Sequence, residues 1–261
     1  MAEHGRKRSW QELAPLDRGG MAEALAGFPV QCREGLALGE GVPLDGLAGF
    51  SRVVALGMGG SGIAGALLTT LLPVEVVPVR DYTLPGWIGE ESLAIALSYS
   101  GDTEETLSAF DEARTRTKRA VAVTSGGELG ARCSANGIPW IRIPPGHQPR
   151  AALGYLLFPL LGLFRRLGLI PDLGGALAIL DELARERGRA GKRGAYGDGG
   201  VDVRAHGAVP ENDAERLRAH GAVGDDGQAA AVGLLLLEGF GGLDRHVLEV
   251  ARGLIVEIPE L

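Results

Sequence analysis

The sequence predicts an α/β fold built on a parallel sheet, and three observations predict it. Apolar runs of strand length recur between Val53 and Ile143, helical stretches separate them, and turns rich in glycine or hydroxyls follow two of the runs. Alternation at this spacing builds βαβ units, whose parallel strands carry helices on both faces. The expected strands are Val53–Leu56, Val74–Val79, Leu93–Leu97, Ala120–Val123 and Ile138–Ile143. Short, continuous apolar runs suit strands that are covered on both sides.

Ahead of the first strand, Trp10 to Leu38 holds two short helical patterns, with Leu25 and Phe28 as anchors and Pro29 as a break. This segment is too short and too little basic for a DNA-binding helix-turn-helix. After Arg150 an apolar helix runs to Leu167, and a second helical pattern covers Leu173 to Arg187. Glycine and charge dominate from Gly188 to Gly207, which reads as loops. An amphipathic piece (Glu211 to His220), a strand (Leu234 to Leu237), a helix (Leu243 to Ala251) and a last strand (Leu254 to Ile258) then suggest a second, smaller α/β unit. The expected organisation is an N-terminal helical segment at 1–50, a first α/β domain at 51–150 and a second at 151–261. The second is expected to be short and to lack its C-terminal helix, because the sequence stops just after a strand.

With 261 residues and 45% hydrophobic content, the chain can bury a substantial core. A net charge of −7 and a pI near 5.3 argue against nucleic acid or an anionic membrane as partner. Arg6, Lys7 and Arg8 form a small basic cluster that reads as a solvated tail. Cys32 and Cys133 stand alone, with no Cys-x-x-Cys and no partnered histidine, which suits a reducing compartment. No signal peptide is visible, and the apolar run Ala151 to Leu163 is too short and too interrupted for a membrane span. The expected location is cytoplasmic.

The first chemistry-bearing stretch is Gly57-Met58-Gly59-Gly60-Ser61-Gly62, between a strand and a helix. A helix start offers N–H groups without intrahelical partners and the positive end of the helix dipole, and glycines admit a ligand close to the backbone. The stretch therefore points to a phosphate. Gly57, Gly59 and Gly62 also satisfy the dinucleotide pattern G-x-G-x-x-G, with Asp81 near the ribose-binding distance. A ligand-free tight turn is the bland alternative.

A second stretch, Ser98-Tyr99-Ser100-Gly101-Asp102-Thr103-Glu104-Glu105-Thr106, follows a strand and opens a helix. Asp102 or Thr103 can cap that helix, and Glu104 and Glu105 suit its first turn. Ser98, Ser100 and Thr103 place three hydroxyls at the carboxyl end of a parallel strand, the edge that also carries Gly59 to Gly62. A dinucleotide site does not need such a cluster; a phosphomonoester, rich in acceptor lone pairs, does. Serines that only cap and turn are the alternative.

These motifs resemble the sugar isomerase (SIS) domain, and the fuller pattern resembles its bifunctional phosphoglucose/phosphomannose isomerase branch. The matching pieces are Asp17, Met21, Phe28-Pro29-x-Gln31, the Gly57–Gly62 and Ser98–Thr106 stretches, Thr124-Ser125-Gly126-Gly127, and Pro144-x-Gly146-x-x-Pro149-Arg150-x-Ala152. The resemblance implies two SIS-type αβα sandwich halves and a homodimer with its active site near the interface. It also implies aldose–ketose isomerisation of a sugar 6-phosphate, glucose 6-phosphate or mannose 6-phosphate to fructose 6-phosphate, with no metal or organic cofactor. Gly59, Gly60, Ser61, Ser98, Ser100 and Thr103 become the candidate phosphate ligands.

Such isomerisation needs a carboxylate to carry a proton between C1 and C2, a cation to stabilise the enediolate, and an acid/base to open the ring. Arg150 matches the family's arginine and is the candidate cation, since a guanidinium suits a developing oxyanion. The family's glutamate lies in an Asn-Glu-Asn-Ala-Lys-like segment. Here Pro210-Glu211-Asn212-Asp213-Ala214-Glu215-Arg216 makes Glu211 the candidate base if one extra residue is allowed, and puts Asn212 there otherwise. The family's ring-opening histidine and late lysine have no match: His206, His220 and His147 all lie off the motif. Three readings follow: a working isomerase with substitute groups, a catalytically impaired sugar-phosphate-binding protein, or a defective copy. A SIS-type transcription regulator would need a DNA-binding domain that the sequence does not display.

Overall fold

The computed structural model describes residues 14–192. They fall in two compact units, Gly27–Pro171 and a second formed by the stretches on either side of it. In chain order the helices and strands are α1 (Met21–Ala26), α2 (Phe28–Glu40), β1 (Arg52–Gly57), α3 (Gly59–Leu71), β2 (Glu75–Val79), β3 (Ser92–Leu97), α4 (Glu104–Arg116), β4 (Ala120–Thr124), α5 (Gly127–Ala135), β5 (Trp140–Arg142), α6 (Leu153–Arg166) and α7 (Gly174–Lys192). Short 3₁₀ turns cover Ala14–Leu16 and Pro149–Ala151.

The five strands expected between Val53 and Ile143 all form, and among the described residues every pairing is parallel, in the order β2-β1-β3-β4-β5. The central strands β3 and β4 are buried along their whole length, as continuous apolar runs demand. Their side chains alternate between two helical layers. Val54, Leu56, Ala94, Ala96 and Ala122 pack with Phe110 and Ala113 of α4 and with Leu129 and Cys133 of α5. On the other face α3 sits so close that a Cβ on Gly65 would lie 2.8 Å from the Ala55 methyl. The result is the three-layer α/β sandwich that the sequence predicts.

The edge strands are shorter than expected. β5 starts only at Trp140, because Pro139 has no N–H to give the ladder; its carbonyl still accepts from Ala122. Pro78 is tolerated in β2 because that strand is an edge.

Within the larger unit α2 and α6 cross at very close range, and glycines make the crossing possible. A Cβ on Gly39 would overlap the Pro159 carbonyl, one on Gly162 would overlap the Leu36 carbonyl, and one on Gly35 would lie 2.9 Å from the Gly154 oxygen. The apolar run expected to be a buried helix is one: Gly154 to Phe164 of α6 are all buried. Pro29 falls inside the first turn of α2, where its missing N–H costs nothing, so the break between the N-terminal helices is at Gly27. Cys32 and Cys133 are both fully buried, and burial pushes the Cys133 thiol up to about 11.

In the other unit, Asp172 Oδ1 accepts from the Gly174 N–H at 2.8 Å just before α7. That helix continues to Lys192, into the stretch expected to be loop from Gly188. Arg189, Ala190 and Lys192 are good helix formers, and they outweigh Gly188 and Gly191. The basic cluster at Arg6–Arg8 and the second α/β unit expected after Gly207 lie outside the described residues.

Candidate functional site

The sheet order reverses at β1. The chain steps from β1 to β2 on one side, then crosses to β3 on the other, where Gly57 of β1 pairs with Leu97 of β3. The two loops singled out in the sequence therefore leave neighbouring strands at the same edge. In open α/β sheets this switch point is where ligands bind. In the dinucleotide fold the third strand lies beyond the second, so the order seen here departs from that alternative.

On the β1 side the glycines do more than precede the helix: α3 begins at Gly59, with Met58 extended at its N-cap. The N–H groups of Gly59, Gly60 and Ser61 thus point out of the helix start without carbonyl partners in it. Gly59 has φ +49°, which favours glycine. Ser61 is buried, and its Oγ accepts the Tyr99 N–H at 3.1 Å, which leaves its own proton for another acceptor.

On the β3 side Ser98 is almost wholly buried, and it braces the loop. Its Oγ accepts the Gly101 N–H at 3.1 Å and lies 3.0 Å from Thr103 Oγ1. Ser100 is exposed, and its Oγ accepts the Asp102 N–H at 3.2 Å. Of the six candidate phosphate ligands, Gly59 and Ser100 are exposed, Gly60 and Thr103 half-buried, and Ser61 and Ser98 buried. Thr103 occupies the N-cap of α4 without a side-chain cap bond. Asp102, the other candidate cap for that helix, caps the next one: its Oδ1 accepts the Glu128 N–H at 2.8 Å in the first turn of α5.

Two further loops close on this pair. Ser125 donates to the Tyr99 carbonyl through both its N–H, at 3.0 Å, and its hydroxyl, at 2.7 Å. Gly101, at φ +84°, sits so tightly on this loop that a Cβ would overlap the Gly126 carbonyl. The 3₁₀ turn at Pro149–Ala151 rests on Gly60, whose Cβ would lie 2.9 Å from the Arg150 nitrogen and 3.0 Å from the Pro149 carbonyl carbon. Arg150 is thus brought to the glycine loop although the two lie far apart in sequence. Its exposed guanidinium donates to Gln148 Oε1, Nε at 3.2 Å and NH2 at 3.0 Å, and pairs with no carboxylate among the described residues. His147 is half-buried in the same loop, with its ring 5.5 Å from that of Tyr155. Tyr155 donates to Glu34, and burial and that carboxylate together push its hydroxyl above the usual range.

The sequence reading missed two residues at this edge. Arg80, at the end of β2, lies with Nε 3.3 Å from where a Cβ of Gly62 would be. Tyr99 joins the loops through its main chain and its hydroxyl. A position just beyond a strand end is the signal that could have found Arg80; an aromatic flanked by serines is the one for Tyr99. Glu211, Asn212, His206 and His220 lie outside the described residues. Among the described residues no group of three or more His, Cys, Asp and Glu is placed to hold a metal ion, and no helix is long and apolar enough to cross a membrane.

Sheet order and edge loops define the class. The fold is a three-layer α/β sandwich that resembles the sugar isomerase domain. A structure from Silicibacter pomeroyi, provisionally named a phosphosugar isomerase, superposes with a TM-score of 0.50 at 18% identity, over 65% of this chain and 56% of that one. More specifically, the chain is similar to the bifunctional phosphoglucose/phosphomannose isomerases. It is 41% identical over 155 residues to the one from Caldicellulosiruptor bescii, which covers 58% of this chain and 46% of that protein. It is also 34% identical over 115 residues to a D-glucosamine-6-phosphate 4-epimerase from Sulfolobus acidocaldarius, covering 43% of this chain and 37% of that protein. The chain thus spans about half the length or less of these curated relatives. No protein-family model matches it.

Proposed function

We propose that the chain binds a sugar 6-phosphate at the carboxyl edge of β1 and β3 and isomerises it between aldose and ketose. The observation that carries this reading is the meeting, at the switch point, of the Gly59–Ser61 helix start, the Ser98–Thr103 loop and the Arg150 turn. In this reading the phosphate takes the free N–H groups of Gly59, Gly60 and Ser61 and the hydroxyls of Ser61, Ser100 and Thr103. Ser98 keeps its own hydrogen bonds and holds the loop in shape. The 41% identity to a bifunctional phosphoglucose/phosphomannose isomerase supports glucose 6-phosphate or mannose 6-phosphate as the aldose.

The chemistry follows from the groups. A carboxylate removes the proton at C2 of the open-chain aldose and returns it to C1, while a cation stabilises the enediolate between. Arg150 is the proposed cation, free of any carboxylate partner among the described residues. Glu211 is the proposed base. Proposed with it are a second, shorter SIS-type half at 151–261, a homodimer and a cytoplasmic location, with no metal or organic cofactor.

A second reading has its own support. The similarity to a D-glucosamine-6-phosphate 4-epimerase links the matched region to a relative named for a different reaction on a phosphosugar. The shared part is then phosphosugar binding, with the reaction set elsewhere, and this chain can be a binder alone. A coupled assay of the purified full chain, fructose 6-phosphate to glucose 6-phosphate, separates the two. The isomerase reading predicts turnover, with a loss of roughly a hundredfold or more in Arg150→Ala and in Glu211→Gln. An inert wild type that still binds fructose 6-phosphate makes the chain a binder.

A further inference from the structure

We infer that Tyr99 is a positioning residue, which holds the turn bearing Arg150 in register with the phosphate-binding loops. The inference rests on the proposed function for its catalytic consequence, but its structural part stands on geometry alone. Tyr99 is the second residue beyond β3 and is 6% exposed. Its N–H donates to Ser61 Oγ at 3.1 Å, which ties it to the glycine loop. Its carbonyl accepts from the N–H and hydroxyl of Ser125, at 3.0 and 2.7 Å, which ties it to the loop after β4. Its hydroxyl donates to the Pro144 carbonyl at 2.8 Å and accepts the His147 N–H, also at 2.8 Å.

One residue therefore joins four loops of the carboxyl edge. The first three contacts are made by the main chain or to it, and any residue at this position could make them. The hydroxyl pair is different, because only tyrosine reaches across to close it. The loop it fixes, Pro144 to His147, leads directly into the Pro149–Ala151 turn that rests on Gly60. Without the hydroxyl, the Pro144 carbonyl and the His147 N–H lose a shared partner, and the start of that turn is no longer anchored to β3. A cation that must meet a developing oxyanion tolerates little displacement, so a loosened turn costs rate more than binding.

The test is Tyr99→Phe in the full chain, which removes the hydroxyl and keeps the ring. In the fructose 6-phosphate assay kcat falls roughly tenfold while KM stays within about a factor of two, as expected for an interaction that matters in the transition state. In an Arg150→Ala background the same substitution has no further effect, because the group it positions is gone. Hydrogen exchange supplies a readout independent of turnover: the His147 amide exchanges faster in Tyr99→Phe, while β3 and β4 do not. Should the wild type prove inert, the proposed isomerase function fails, and the exchange pattern alone decides the positioning role. The inference is overturned by an unchanged His147 exchange, or by a loss of kcat that persists in full in the Arg150→Ala background.

Discussion

Gly60 shows how a single missing side chain organises this edge. It is half-buried, it offers an N–H at the helix start, and the backbone of Pro149 and Arg150 lies only 2.9–3.1 Å from where its Cβ would go. Gly60→Ala therefore has to push the Arg150 turn away from the phosphate loop. The expected outcome is a folded protein, less stable by about 1–3 kcal/mol in thermal or urea unfolding, with kcat/KM for fructose 6-phosphate reduced. Unchanged kinetics would show that the turn can move without consequence. The placement of the glycines and serines at this edge was legible in the sequence because it is local: each lies within a few residues of a strand end. The placement of Tyr99 and Arg80 was not, because it shows only in contacts made across the fold, as between Tyr99 and Pro144. Of the two candidate caps for α4, Thr103 holds the N-cap position, and the other, Asp102, is drawn away for the same reason. The carboxylate that could cap its own helix reaches the next one, since the α5 start folds back onto the Ser100–Asp102 loop.

The elements themselves were largely readable, since strands buried on both faces need continuous apolar runs and helices need longer ones. Errors fell at the ends, where one residue decides: Pro139 delays β5, and helix-forming residues carry α7 past Gly188. What periodicity could not show was the glycine-mediated crossing of α2 and α6, in which Gly39 and Gly162 meet the partner helix's main chain. Gly39→Ala has no room there, and overpacking of this kind costs about 1–3 kcal/mol. The melting midpoint should fall by roughly 3–10 °C for a domain of this size. Gly86→Ala serves as the control, since a Cβ there meets nothing within 4 Å, and it should leave the midpoint unchanged. Equal midpoints for the two variants would mean that the helices can part at no cost. This crossing bears on the site as well: buried Gln31 of α2 donates to the Ala151 carbonyl at 3.0 Å and so helps seat the Arg150 turn.

At the scale of the whole molecule, one topological fact turns scattered motifs into a site. Because the order β2-β1-β3-β4-β5 reverses at β1, loops more than a strand apart in sequence open at one edge. The sequence predicts a parallel sheet but not its order, which depends on which way each crossover turns. The Ser98–Thr103 hydroxyls already speak for a phosphomonoester over a dinucleotide in the sequence, and the strand order adds a second departure from the dinucleotide fold. The proposed base belongs to the part of the chain beyond residue 192, and there the sequence offers only the motif around Glu211.

The switch-point edge is the proposed binding place for the phosphate of a sugar phosphate. Titration calorimetry of the full chain with fructose 6-phosphate, with fructose in parallel and Ser100→Asp as the variant, tests it most directly. Ser100 is exposed, so aspartate there spares the core while setting a negative charge beside the proposed phosphate. The expected result is saturable binding of fructose 6-phosphate, none of fructose, and an affinity at least about tenfold weaker in Ser100→Asp. Equal binding of fructose, or undiminished binding by the variant, would contradict it.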